Sequence, residues 1–346
     1  MTGSAGGPSL RTRLVRRVFV VALRALRELG AGGPPEPDAP VAELEAYALR
    51  LRTASERVLS MVPLGCDVEV APLDGAPVAG RVVSVPEAGA VSEELIGSVR
   101  WLAAAPRVVL HLHGGAYVMG SSRTHRGLGA ALARAGRAVV VLPDYRLVPE
   151  HAYPAALDDA EATWRWLTTE CGVAPERIAL TGDSAGGGLA AALLVRLRDL
   201  GAPLPACYVG LSPWLDLAGT GRSMVEMASV DPWLSAALVR PAASAYAGAA
   251  PLDHPEVSPL YADLAGLPPM LLHVGSDEIL RDDALRFAEK ARAAGVDASA
   301  GVFPGLWHVF QAFPGLPEGQ AALAEVGGFI RRHTVAGRRS PQGVAV

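Results

Sequence analysis

The segment Gly182-Asp183-Ser184-Ala185-Gly186 sets a serine between two glycines, behind the apolar run Ile178 to Thr181 and ahead of small residues that open a helix. Glycines at those positions permit a tight, strained strand-to-helix turn that lifts the hydroxyl above a sheet edge, with the helix amides and dipole aimed at it. The five-residue pattern alone recurs by chance in chains rich in glycine and alanine; the strand-turn-helix context is what marks a nucleophile. A serine hydroxyl reacts only when a base takes its proton, and that base needs a third group to orient it. In elbows of this kind the chain order is serine, acid, histidine. Of eight histidines, His308 and His333 follow the candidate acid, and His333 ends a charged surface helix, so His308 is assigned as the base. The run Met270 to Val274 leads into Gly275-Ser276-Asp277-Glu278, and Asp277 is assigned as the acid, with Glu278 its nearest rival. Asp282 and Asp283 fall in the first part of the next helix, where negative charge is favourable.

Attack on a carbonyl develops an oxyanion that needs backbone N–H donors. One is expected from Ala185, the residue after the nucleophile. The others are expected from Gly114, Gly115 and Ala116, in the turn His113-Gly114-Gly115-Ala116 that follows the strand run ending at Leu112. Glycines there let backbone approach a substrate closely.

The elements that must position these groups are legible from hydrophobic periodicity. Strand runs occur at Cys66 to Ala71, Val78 to Val85, Val108 to Leu112, Ala138 to Leu142, Ile178 to Thr181, Cys207 to Leu211 and Met270 to Val274, with a weaker one at Ala298 to Phe303. Helical patterns fall at 126–136, 154–170, 185–200, 279–294 and 318–333. Uninterrupted apolar strands alternating with helices predict an α/β fold with a mostly parallel sheet covered on both faces, and ligands sit beyond the carboxyl ends of such strands. Residues 213–257 break the alternation and are placed to roof a site. Trp214, Met224, Met227 and Trp233 from that stretch, with Tyr117, Trp307 and Phe310, are candidates to line a substrate pocket.

Residues 14–29 form a basic amphipathic pattern, with Arg16, Arg17, Arg24 and Arg27 on one arc and Leu14, Val18, Val21, Ala22, Ala25, Leu26 and Leu29 on the other. Such a helix either packs its apolar face on the protein or rests on a membrane surface through residues 11–29. A Gly/Pro-rich link at 30–40 and a second helical segment at about 41–60 follow.

Several motifs in order resemble the bacterial hormone-sensitive-lipase-like branch of the α/β hydrolases: His113-Gly-Gly-Ala, the stretch Asp144-Tyr-Arg-Leu-Val-Pro-Glu-His-Ala-Tyr-Pro-Ala-Ala156, Gly182-Asp-Ser-Ala-Gly-Gly187, and the later Asp277 and His308. The resemblance runs from about residue 65 to 333. It implies an α/β-hydrolase fold and a carboxylesterase without cofactor or metal, acting on small to medium apolar esters. It also implies a helical cap built from the N-terminal segment and an insertion after the sixth strand. The organisation expected is N-terminal helices at 1–62, a catalytic core at 63–212 and 258–335, a cap insertion at 213–257 and a disordered tail at 336–346. The family usually has a third glycine where this chain has Ala116, whose N–H still serves if its φ is negative. The charged residues of the Asp144–Ala156 stretch read as braces of a loop beneath the site, and Asp183 as a hydrogen-bonding residue of the elbow. Relatives that open lactones or transfer acyl groups use the same triad, and some members of the fold are small-molecule receptors that have lost the base; His308 argues against the last.

Composition narrows the partners. With 50% hydrophobic and 19% charged residues in 346, the chain has material for a large core. A net charge of −4 and no basic stripe exclude a nucleic-acid role. Cys66, Cys171 and Cys207 are odd in number and widely spaced, which fits buried thiols in a reducing, cytoplasmic compartment rather than disulfides or zinc. No stretch approaches the roughly 20 apolar residues that span a bilayer. The expected partner is a small ester or lactone, and a homodimer is compatible with the sequence.

Overall fold

Apolar runs without polar interruption cannot lie half in water, and in the computed structural model of this chain they become interior strands of one eight-stranded sheet. The structure describes residues 7–17, 41–59, 64, 67–88, 99–313 and 315–335. Helical residues 10–17 (α1) and α2 (Val41–Leu59) precede β1 (Glu69–Pro72), β2 (Gly80–Ser84) and the short α3 (Val99–Ala104). Regular alternation then begins with β3 (Val108–Leu112), α4 (Arg126–Gly136), β4 (Val139–Pro143), α5 (Ala155–Arg165), β5 (Ile178–Asp183), α6 (Ser184–Asp199) and β6 (Cys207–Leu211). After α7 (Ser223–Glu226) and α8 (Ala236–Ala247) the chain returns to β7 (Met270–Gly275), α9 (Arg281–Ala293), β8 (Ala298–Phe303) and α10 (Pro317–His333).

The strand order is β1-β2-β4-β3-β5-β6-β7-β8, with β1 and β2 antiparallel and β3 to β8 parallel. Every residue of β3, β4, β5, β6 and β7 is buried, as continuous Val/Leu runs require when helices cover both faces. Each large aliphatic side chain so placed contributes roughly 1.5–3 kcal/mol. From β3 the chain turns back to β4 on one side, and from β5 it proceeds to β6 on the other, so the loops diverge between them. Leu112 pairs with Gly182 at that divergence, and the two strands release residues 113 and 183 side by side.

Helix positions follow the periodicity closely, but the N-terminal segment does not pack as its pattern predicts. Leu14 is exposed at 62% and Leu10 at 78%, whereas Thr12 is buried, Val15 packs against the cluster of Leu306, Trp307, Phe310, Leu316 and Ala322, and Arg16 points inward. Glu318 is the reason: it accepts bonds from the Ser9 N–H at 2.5 Å and the Thr12 hydroxyl at 2.5 Å, which rolls α1 so that its polar side meets α10. The rest of the amphipathic pattern, the 30–40 link, Cys66 and the 336–346 tail lie outside the described residues.

Helix α10 crosses α4 with backbone nearly touching backbone. A Cβ at Gly327 would collide with the carbonyl of Ala135, which cannot move without distorting α4. Gly327→Ala is therefore expected to cost about 1–3 kcal/mol, as overpacking does, and to lower the Tm by on the order of 5 °C; an unchanged calorimetric Tm would refute the close crossing.

Candidate active site

The serine elbow is built by what its glycines leave out. Ser184 has φ +52°, a left-handed conformation that costs an L-residue roughly 1–2 kcal/mol, and it sits where β5 turns directly into α6. A Cβ on Gly182 would strike the Gly186 carbonyl, and one on Gly186 would strike the carbonyls of Leu112 and His113. The turn therefore closes on itself and against the end of β3 at once. Ser184 also offers its own carbonyl to the Trp214 N–H at 2.8 Å, which fixes the start of the segment after β6 over the site.

His308 follows β8 in the loop before α10, and its Nε2 lies 2.8 Å from the Ser184 Oγ. Its Nδ1 lies 2.7 Å from Oε2 of Glu278, not of Asp277. A carboxylate can only accept, so Nδ1–H donates to Glu278 and Nε2 is left to take the serine proton. Glu278 is fully buried; its other oxygen accepts from the Gly275 N–H at 2.5 Å and the Ser212 hydroxyl at 2.8 Å, and Ser212 in turn accepts from the Val309 N–H. Burial alone would depress the His308 pKa; the hydrogen bond and charge of Glu278, with Asp231 and Asp183 farther out, outweigh it and hold the imidazole above its ordinary value.

The assignment of Asp277 is thus corrected by one residue. After β7 the backbone turns so that the Asp277 N–H bonds the Leu306 carbonyl while its side chain faces outward, to the Ser276 hydroxyl and to Arg16 of α1 at 2.5 Å. The same guanidinium reaches the carbonyls of Gly305 and Val230. Asp277 therefore anchors the N-terminal segment. The one sign in the sequence was that Glu278 heads the apolar pair Ile279-Leu280, both buried.

The glycine turn after β3 stands beside the elbow, with two corrections. The Gly114 N–H donates to Oδ1 of Asp183 at 3.1 Å, so it is engaged and does not face a substrate carbonyl. Ala116 has φ +54° and Tyr117 φ +62°, so the condition of a negative φ is not met; the alanine instead takes the left-handed path open to a glycine at that position, which keeps its N–H on a glycine's course, and bears the strain.

Above Ser184 lies a cavity of about 190 Å³ with mostly apolar walls. Trp214 and Trp233 line it, and the Trp233 ring stands edge-on to His308 at 6.2 Å. Tyr117, Met224, Met227, Trp307 and Phe310 do not line it. Tyr117 stacks on Tyr246 at 3.6 Å, Met224 is core, Met227 packs against that core, and Trp307 and Phe310 belong to the cluster behind His308. The walls come instead from Leu44, Tyr47 and Leu51 of α2 and Leu238, Val239 and Ala242 of α8, contributions that composition and local pattern do not reveal. The Asp144–Ala156 charges brace loops: Asp144 accepts from Ser122, Arg146 pairs with Asp159, and Glu150 with Arg52 of α2. Among the described residues no group of three or more His, Cys, Asp or Glu is placed to hold a metal ion, and no helix is long and apolar enough to cross a membrane.

Residues 109–312 match the family model described as the alpha/beta hydrolase fold. The chain belongs to that α/β-hydrolase family. This α/β hydrolase is 36% identical to an esterase of Acinetobacter venetianus over 81% of its own length and 87% of the relative's. It is 44% identical to an acetyl-hydrolase of Streptomyces hygroscopicus over 66% and 76% of the two chains. Its structure superposes with TM-score 0.78 on an esterase of the bacterial hormone-sensitive lipase family, 39% identical, covering 92% of this chain and 97% of that one. The esterase EstE5, whose crystal was soaked with p-nitrophenyl butyrate, gives 0.79 at 35% identity, over 94% and 99%. The α/β hydrolase is a carboxylester hydrolase of that bacterial branch.

Glu278→Gln is expected to lower kcat on a p-nitrophenyl ester by roughly 10³–10⁴, by analogy with loss of the orienting carboxylate in other serine hydrolases. Asp277→Asn should keep kcat within a few-fold. The reverse ranking in steady-state kinetics would restore Asp277 as the acid.

Proposed function

We propose that this enzyme cleaves small to medium apolar carboxylic esters through an acyl-enzyme on Ser184. The observation that carries the proposal is the continuous hydrogen-bonded line Ser184–His308–Glu278 at the floor of an apolar cavity. His308 takes the serine proton as Oγ attacks the ester carbonyl, while Glu278 holds the tautomer and stabilises the imidazolium. The N–H groups of Gly115, Ala116 and Ala185 receive the oxyanion, since Gly114 is held by Asp183. His308 then returns the proton to the departing alcohol and activates the water that releases the acid.

The cavity supports the substrate class. Its volume and its mostly aliphatic and tryptophan lining suit short and medium apolar acyl chains. The helices of 41–59 and of the 213–257 insertion act together as the cap. An apolar lactone would fit the same space, and the distinction lies in the products.

The free base is the active form of His308, and its pKa is raised, so kcat/KM should fall as pH drops through a value above the ordinary imidazole range. Ser184→Ala should abolish turnover across p-nitrophenyl esters graded in acyl length, and the wild type should favour the shorter members; turnover retained by the serine variant would overturn the proposal.

A weak contact with an anionic membrane surface is part of this reading. It is supported by Leu10 and Leu14 standing exposed beside the exposed Arg11, Arg13 and Arg17 on α1. Sedimentation with phosphatidylserine vesicles should carry the enzyme down at low salt, and Leu10→Ser with Leu14→Ser should release it; no sedimentation by the wild type excludes the contact.

A further inference from the structure

A second cluster of titratable groups lies beneath the oxyanion turn and takes no part in proton transfer. Asp183, buried and adjacent to the nucleophile, spreads its carboxylate over three neighbours. Oδ1 accepts from the Gly114 N–H at 3.1 Å and from His111 Nε2 at 3.1 Å, and Oδ2 faces His125 Nε2 at 3.4 Å. The carboxylate therefore ties the two sources of oxyanion donors together, the glycine turn from β3 and the elbow from β5.

A buried carboxylate needs a countercharge, and hydrogen-bond accounting shows which imidazole supplies it. His111 Nδ1 accepts from the Thr181 hydroxyl at 2.9 Å, so with Nε2–H on Asp183 it is neutral, and burial keeps it so. His113 donates Nδ1–H to the Gly114 carbonyl and is driven down to about 3 by burial and by the charge of His125. His125 differs. Its Nδ1 lies 2.9 Å from a Thr124 hydroxyl whose own hydrogen goes to the Ser121 carbonyl, and 3.3 Å from that carbonyl. Both ring nitrogens of His125 thus lie beside oxygens able to accept, the Asp183 carboxylate on one side and the Ser121 carbonyl with the Thr124 hydroxyl on the other, an arrangement that a doubly protonated ring satisfies.

We propose that His125 is a positioning residue for ester hydrolysis: as an imidazolium it neutralises Asp183, and the pair clamps the Gly114 turn against the serine elbow so that Gly115, Ala116 and Ala185 offer their amides to one point. This rests on the esterase reading above. Without the cation, a bare carboxylate one residue from Ser184 would oppose the charge that develops on the oxyanion.

The groups facing His125 come from every side. They are His111 on β3 with His113 in the turn after it, Asp144 after β4, Asp183 on β5, Ser121 and Thr124 in its own loop, Glu56 of α2 through the Ser121 hydroxyl, and Arg126 beside it on α4. Burial lowers the His125 pKa, but Asp183 by charge and hydrogen bond, with the Ser121 carbonyl and Asp144, raises it above the ordinary value. Asp183 is held far below the usual carboxylate range by His125 and His111 against its burial. A raised imidazole pKa means that the clamp is complete at lower pH and is lost as pH rises through the folded-state value. The acid limb of activity belongs to His308 and the alkaline limb to His125.

The test is in two parts. In wild-type enzyme, NMR of the imidazole Cε1–H groups, with the His125 signal identified by its loss in His125→Gln, should show His125 titrating above pH 6.5, and Asp183→Asn should bring that value down. In kinetics, His125→Gln should lower kcat by roughly tenfold to a hundredfold with KM nearly unchanged, short of the ~10²–10³ of an outright lost oxyanion donor, and should lack the alkaline limb while keeping the acid one. A His125 signal titrating below pH 6.5, or a glutamine variant with wild-type kcat and an intact alkaline limb, overturns the proposal. If no ester is turned over, the esterase reading fails, and the titration of His125 still decides whether the ion pair exists.

Discussion

The structure depends on a contact between two pieces of backbone. The turn at Ser184 can exist only if residues 182 and 186 have no side chains, because each occupies the space a Cβ would need against a carbonyl. Gly186 presses on the carbonyls of Leu112 and His113, and this brings the elbow after β5 within a hydrogen bond of the turn after β3. Parallel pairing of Leu112 with Gly182 delivers both segments to the same sheet edge, and the glycines let them meet there. The strain at Ser184 is sustained because the fully buried strands and α6 leave the chain no other path.

From that edge the rest of the site is assembled by loops that brace one another. Glu278 is held by Ser212 after β6 and by its own strand end at Gly275, and Ser212 also fixes Val309 beside the histidine. Asp231 of the insertion accepts from the N–H groups of Trp233, Leu234 and Ile279, which stitches a cavity wall to the residue following Glu278. Arg16 bonds Asp277 and the carbonyl of Val230, so the N-terminal segment grips the same two loops from outside. The segments that wall the cavity are thus mechanically joined to the loops that carry Glu278 and His308.

Much of this was legible in advance, for a physical reason that differs from element to element. The parallel core was readable because a strand buried on both faces must be apolar at every position, as Val139 to Leu142 shows. The elbow was readable because a serine at positive φ between colliding backbones demands glycine at two fixed positions. The acid was misplaced by one residue because Asp277 and Glu278 are chemically alike and adjacent; the turn after β7 directs one outward and the other inward. Gly114 was counted as a donor because nothing in its own neighbourhood reveals that Asp183, 69 residues later, takes its N–H.

The sequence by itself determined the sheet, the strained turn at Ser184 and the place of His308 beyond the last strand, since those follow from periodicity, from steric exclusion around one serine, and from the order of the elements. Tertiary structure alone decided which carboxylate orients His308, which amides of the glycine turn remain unclaimed, and which side chains wall the cavity. Each of those depends on the direction a side chain or N–H takes relative to a partner distant in the chain, and residue type and spacing carry no record of it.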